Sequence, residues 1–180
     1  NAIYAWHTDD RLQDGMSIAY AGAAVAATFS GDMMTLFVFW ELMAIGSTLV
    51  VWAGGPNARA AGLRYLAIHL LGGVILMAGV AGELAATGDI ALTAMQADSL
   101  PHWLILIGVL INAGAPPLSA WLPDSYPEGS FSGSVFLSAF TTKTANLQVA
   151  VDASVSNFQR IRRPDDSLYE ALAEAKNVSL

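Results

Sequence analysis

Cysteine is absent from this 180-residue chain, which removes disulfides, thiolate metal ligands and cysteine-held iron–sulfur clusters from its chemistry. Any redox cofactor of that kind sits on another chain. Charge is scarce as well: only 13% of the residues are Asp, Glu, Lys or Arg, about half of the quarter usual in soluble domains. Those few charges crowd into short places instead of spacing along faces. Basic charge is the scarcer sign, with 8 Lys and Arg against 15 Asp and Glu and a formal net charge of −7. Without a basic patch interleaved with aromatics, nucleic acid is excluded as a partner. There is no P-loop, dinucleotide fingerprint or nucleophile triad, and no His/Cys/Asp/Glu spacing that suits a metal. No cofactor is expected. The opening NAIYAWHTDDRLQD has neither a start methionine nor a basic n-region, so no signal peptide is expected. The chain reads as an internal piece of something longer.

What the sequence has in abundance is apolar residues, 54% of the total, and they form runs of membrane-spanning length. The fold class they predict is all-α, a polytopic transmembrane helix bundle of about five spans. The first span is expected at Ser17 to Phe29, short and rich in Ala and Gly, and is broken by Ser30-Gly31-Asp32. Small residues of that kind suit tight helix contact. The second runs from Met33 to Ala53 and stops at Gly54-Gly55-Pro56; the third, Ala61 to Ala86, contains His69 and the pair Gly72-Gly73. The fourth, Leu100 to Leu122, is interrupted by Pro116 and Pro117, which withdraw backbone donors and predict a broken helix. Broken helices at membrane depth are tolerated only against protein or a water-lined cavity. A fifth starts near Phe131 and carries Lys143.

This divides the chain into a polar segment 1–16, a transmembrane region 17–145 and a divergent polar tail 146–180. In the tail, Ser167 to Lys176 suits an amphipathic helix capped by Asp166 or Ser167, with Glu170 and Glu174 on one face. Arg59 and Arg64 favour the cytoplasmic side for the loop between spans two and three, which places Asp89 and Asp98 outside and the Asp124-to-Glu128 loop inside. The basic cluster Gln159 to Arg163 then falls on the wrong side. Trp52, Trp103 and Trp121 suit interfacial anchors. Arg64 and Asp32 read as boundary charges, or as members of ion pairs.

Within the runs stand a few polar residues. Glu41 interrupts FVFWELM. A carboxylate near the centre of an apolar helix disfavours insertion by roughly 2.5–3.5 kcal/mol on insertion scales. Such a group is either a structural carboxylate bonded to a neighbouring helix or a proton or cation relay. His69 is either a satisfied packing histidine or a proton carrier, its ordinary pKa near 6.5 allowing both states at working pH. Lys143, about a dozen residues into its span, either snorkels to the surface or is a switchable site, because desolvation lowers a lysine pKa and a nearby Glu raises it. Asn112 and Ser119 flank the broken helix, as partners for water or as interhelical bonds.

Three stretches, GDMMTLFVFWELMAIGSTLVV, AGLRYLAIHLLGGVILMAGV and GAPPLSAWLPDSYPEGSFSGSVFLSAFTTKTA, resemble the membrane subunits shared by Mrp-type multisubunit cation/proton antiporters and respiratory complex I, most of all the D-type subunit of the antiporters. The resemblance covers about Ser17 to Ala145. It implies two inverted five-helix repeats, each with one broken helix, of which this chain supplies the first. Glu41 matches the family's membrane glutamate, Lys143 the lysine after the broken helix, and His69 fits the pattern of the D-type subunit between them. Two positions depart: Asn112 stands where complex I members carry a lysine, and Ser119 where a histidine is common.

The function so implied is proton translocation coupled to monovalent cation (Na⁺/H⁺) antiport, in a multi-pass subunit of the cell inner (plasma) membrane, surrounded by lipid bilayer and sister membrane subunits. Protons and monovalent cations would be its ligands. Glu41 would exchange a proton as Lys143 changes position or charge, His69 would connect the pair to a hydrated half-channel, and Pro116-Pro117 would act as hinge. Two alternatives stay open: a proton-pumping subunit of a complex I-like NADH:quinone oxidoreductase or membrane hydrogenase, whose redox catalysis belongs to partner chains, and an inactive truncated scaffold.

Overall fold

A computed structural model describes residues 10–93, 95–115 and 119–141. Pro116, Pro117, Lys143 and the whole tail 146–180, with its basic cluster and expected helix, lie outside the described residues. The described part is a bundle of antiparallel helices: α1 Arg11–Thr28, α2 Met33–Trp52, α3 Ala58–Thr87, α4 Leu100–Ala113 and α5 Trp121–Ser125, followed by α6 Phe131–Thr141.

Local chemistry sets the ends. Asp10 caps α1 by accepting from the N–H of Leu12 at 3.0 Å and of Gln13 at 3.1 Å, so the helix begins at Arg11, six residues before the apolar run at Ser17. The cap outweighs the polarity of the first turn. Asp32 caps α2 through the Thr35 N–H at 2.8 Å and hydroxyl at 2.7 Å. Ser99 accepts from the His102 N–H at 3.3 Å to open α4. Both α3 and α4 stop on a left-handed glycine, Gly88 at φ 74° and Gly114 at φ 67°, the usual helix stop where a Cβ is unwelcome. The fourth apolar run is therefore already broken at Gly114, before its prolines.

Among the described residues, α2 and α3 are long and apolar enough to cross a membrane. Their ends meet those of their neighbours in two layers of loops. At one end, Gln13 Nε2 donates to Ser130 Oγ at 2.8 Å and Ser132 Oγ at 2.5 Å, and Arg64 forms a two-pronged ion pair with Asp124 at 2.7–2.8 Å. At the other, an isolated antiparallel bridge joins Asp32 to Ala91, through Met33 N–H to Ile90 O at 2.9 Å and Leu92 N–H to Gly31 O at 3.2 Å. His102 closes this end, with Nε2 3.0 Å from Glu83 of α3 and Nδ1 2.7 Å from Asp98. The loops that share charge by sequence thus share an end of the bundle.

Glycines let the helices touch. A methyl on Gly79 of α3 would fall 2.7 Å from the Ile105 backbone nitrogen and 2.8 Å from the Pro101 carbonyl of α4, and one on Gly108 would fall 2.8 Å from the Gly72 carbonyl. Close backbone approach of this kind is how helices associate where lipid is as apolar as the side chains. One expectation is corrected: Trp121 is no interfacial anchor. It is 1% exposed, and its Nε1–H donates to the Ile111 carbonyl at 3.2 Å. The short helix α5 turns the ring inward, where it caps the core formed with Tyr65, Val51 and Leu137.

Candidate functional site

The buried stripe of α3 runs Tyr65, His69, Gly72, Gly73, Leu76, Gly79 and Val80, a spacing of three and four that keeps one face inward. Every described candidate near the bundle centre converges on it. His69 lies eleven residues into α3, roughly 16 Å along its axis at 1.5 Å per residue, deeper than the apolar run alone suggests because the helix starts at Ala58. It is 2% exposed. Its Nδ1 is 2.9 Å from the Tyr65 carbonyl; a carbonyl only accepts, so Nδ1 carries the hydrogen and Nε2 of the neutral ring is left as an acceptor. That Nε2 is buried without a hydrogen-bond partner among the described residues. The ring is stacked on Tyr65 at 4.0 Å and meets Trp121 edge-on at 4.6 Å.

One turn further along, the backbone of α3 is bare. Glu41, projecting from α2, is half-buried and rests its carboxylate against Gly73: a methyl there would lie 2.8 Å from Glu41 Cδ and closer still to Oε1. On the adjoining residue, a methyl at Gly72 would lie 3.2 Å from Asn112 Nδ2 and 3.0 Å from Ile111 Cγ2 of α4. Asn112 is 2% exposed and donates to Gly108 O within its own helix at 3.2 Å. A carboxylate, an amide and an imidazole from three helices therefore gather around one turn of α3. Ser119 does not join them; it is half-exposed in the loop before α5. Pro116, Pro117 and Lys143 lie outside the described residues.

Four hydroxyls went unnoticed in the sequence. Tyr65 Oη lies 2.8 Å from Ser47 Oγ of α2 and 3.3 Å from Thr141 Oγ1 of α6, and Thr141 Oγ1 also bonds Tyr20 Oη of α1. Ser47 passes its own hydrogen to the Met43 carbonyl at 2.6 Å, which makes Tyr65 the donor to it. All four are buried. Spacing carries only a faint signal for them, since Ser, Thr and Tyr in apolar helices are common and only the packing says which pairs meet.

Outside the spans, Asp32 and Asp124 have carboxyls held below the usual carboxylate range, Asp32 by the Thr35 hydroxyl and then its N–H, Asp124 by the Arg64 guanidinium. Among the described residues no group of three or more His, Asp or Glu is placed to hold a metal ion.

Residues 30–160 match the family described as NADH:quinone oxidoreductase/Mrp antiporter, TM. The chain belongs to this family. Among relatives of the NADH:quinone oxidoreductase/Mrp antiporter family, the chain is 34% identical over 134 residues to the probable D-type subunit of a K(+)/H(+) antiporter of Rhizobium meliloti, covering 67% of this chain and 25% of that protein. It is 29% identical over 177 residues to an NAD(P)H-quinone oxidoreductase chain 4 of Trichormus variabilis, covering 86% of this chain and 32% of that one. Its fold is similar to a chain in the structure of the Mrp complex from Dietzia sp., with a TM-score of 0.65 and 27% identity over 71% of this chain and 26% of that chain. The chain thus spans about a quarter to a third of the length of these family members. It is a membrane protein of helical fold, and Glu41, His69 and Asn112 all fall inside the matched residues.

Proposed function

We propose that the protein moves protons in exchange for a monovalent cation as part of a multisubunit antiporter in the cell inner (plasma) membrane, with residues 17–145 as the transport region and sister membrane subunits as partners. The observation that carries this reading is Glu41: a half-buried carboxylate in the middle of an apolar helix with no hydrogen-bond or ion-pair partner among the described residues. A structural carboxylate offsets its desolvation with bonds, and an intramembrane carboxylate that lacks them is suited to exchange a proton. His69, with a buried acceptor that has no partner among the described residues, one turn away on the neighbouring helix, is the next carrier, and Lys143 is the charge that biases Glu41. Asn112 holds water on the path beside the turn that Glu41 faces, and the helix break at Gly114 serves as the hinge. The antiport direction is supported by the Rhizobium meliloti relative, whose name is that of a K(+)/H(+) antiporter component.

The second reading, a proton-pumping subunit of a quinone oxidoreductase, is favoured by the longer stretch of likeness to a chain 4. Proton flux in inverted vesicles carrying the complete assembly, wild type against Glu41→Gln, tests the shared step. Loss of flux with assembly intact is the expected result; unchanged flux overturns the relay role of Glu41. Dependence of wild-type flux on an added monovalent cation favours antiport over quinone-linked pumping.

A further inference from the structure

The bare backbone at Gly73 has a use beyond helix packing. We infer that Gly73 is a positioning residue for Glu41: the missing side chain on α3 forms the seat that holds the carboxylate on the turn where His69 and Asn112 also arrive. This rests on the reading of Glu41 as proton carrier and adds a residue that acts through it.

The surroundings of the α3 glycines separate seat from packing. Gly62 makes room for the Trp52 ring, Gly79 for the Ile105 and Pro101 backbone, and Gly82 for the Pro101 ring; each of these lets one helix or ring lie against another. At Gly73 the three nearest heavy atoms are Oε1, Cδ and Oε2 of Glu41. Nothing else is accommodated there so closely. A methyl in that place meets the carboxylate head-on, and Glu41 has only rotation about its own side chain to escape, away from the α3 face. Asn112 approaches Gly72 on the adjoining residue, so the pair of glycines opens α3 to a carboxylate and an amide together. Moving the carboxylate outward takes it from that turn and from the neighbourhood of His69.

The prediction has a steric signature. Gly73→Ala collides with a glutamate but not with a side chain one methylene shorter, so Glu41→Asp should relieve it. In vesicles carrying the complete assembly, Gly73→Ala is expected to lower cation-driven proton flux at least tenfold with assembly intact, and Gly73→Ala/Glu41→Asp to exceed Gly73→Ala at least threefold. Wild-type flux in Gly73→Ala, where Glu41→Gln abolishes flux, overturns the inference. A second readout is independent of turnover: the infrared carboxyl band of Glu41, assigned by its absence in Glu41→Gln. It is expected to shift in Gly73→Ala and to stay in place in Gly15→Ala, where the added methyl has nothing within 4 Å. A band unmoved in Gly73→Ala overturns the inference whatever the fluxes do. If Glu41→Gln leaves flux unchanged, the carrier reading falls, and the band alone still decides whether Gly73 seats the carboxylate.

Discussion

Single side chains in this bundle do unequal work, and Tyr65 does the most. Its carbonyl fixes the His69 ring, its own ring supports the imidazole, and its hydroxyl joins α2 to α6. Tyr65→Phe keeps the stacking and deletes one hydroxyl; Ser47 and Thr141 retain other partners. A loss of about 1 kcal/mol is expected, read as a lowered thermal midpoint of the purified complex, with no change in the place of His69. Asp32 gives a pH dependence whose sign is fixed. Its carboxyl titrates lower in the folded chain than when unfolded, because Thr35 donates to the ionised form. The stability it contributes is therefore complete above the ordinary carboxylate range, near pH 4, and lost as pH falls through the folded value. In Asp32→Asn the thermal midpoint should fall less steeply on acidification than in the wild type. Equal slopes would remove Asp32 from the acid limb.

At the scale of the helix, glycines divide into those the fold requires and those it tolerates. Gly114 ends α4 at φ 67°, and a methyl there would also press within 2.8 Å of Leu122 and 3.2 Å of Trp121. Gly114→Ala should destabilise by about 1–2 kcal/mol from the left-handed backbone alone, and by more from the contact. Gly15, exposed within α1, has nothing within 4 Å of the same added methyl. Gly15→Ala should be neutral or stabilising by about 0.5–1 kcal/mol, as for glycine in a helix interior. Thermal denaturation of the two variants side by side separates the roles, and an equal effect would refute them. The composition shows both residues as glycine; only the dihedral and the neighbours tell them apart.

For the molecule as a whole, the loops sort into two ends. Asn57 and Glu128 are exposed at the Arg64–Asp124 end, and Asp89 and Asp98 at the opposite one. Since the chain has no cysteine of its own, single cysteines introduced at these four positions report sidedness directly. An impermeant thiol reagent is expected to label Asn57→Cys and Glu128→Cys from one face of the membrane, and Asp89→Cys and Asp98→Cys from the other. Labelling of Asn57→Cys and Asp89→Cys from the same face would break the topology. The sequence by itself determined the helical membrane class, the apolar cores of α2 and α3, the break near the prolines and the oddity of Glu41, because hydropathy, breakers and an expensive charge are local properties. It misjudged Trp121, whose ring suits an interface until a five-residue helix turns it inward. The tertiary structure alone decided that Glu41 meets Gly73, that Asn112 meets Gly72, that His69 Nε2 has no partner among the described residues, and that four hydroxyls on four helices share bonds. Those are facts of rotation and register between helices, which depend on how neighbouring surfaces interlock and leave almost no trace in the spacing of any one of them.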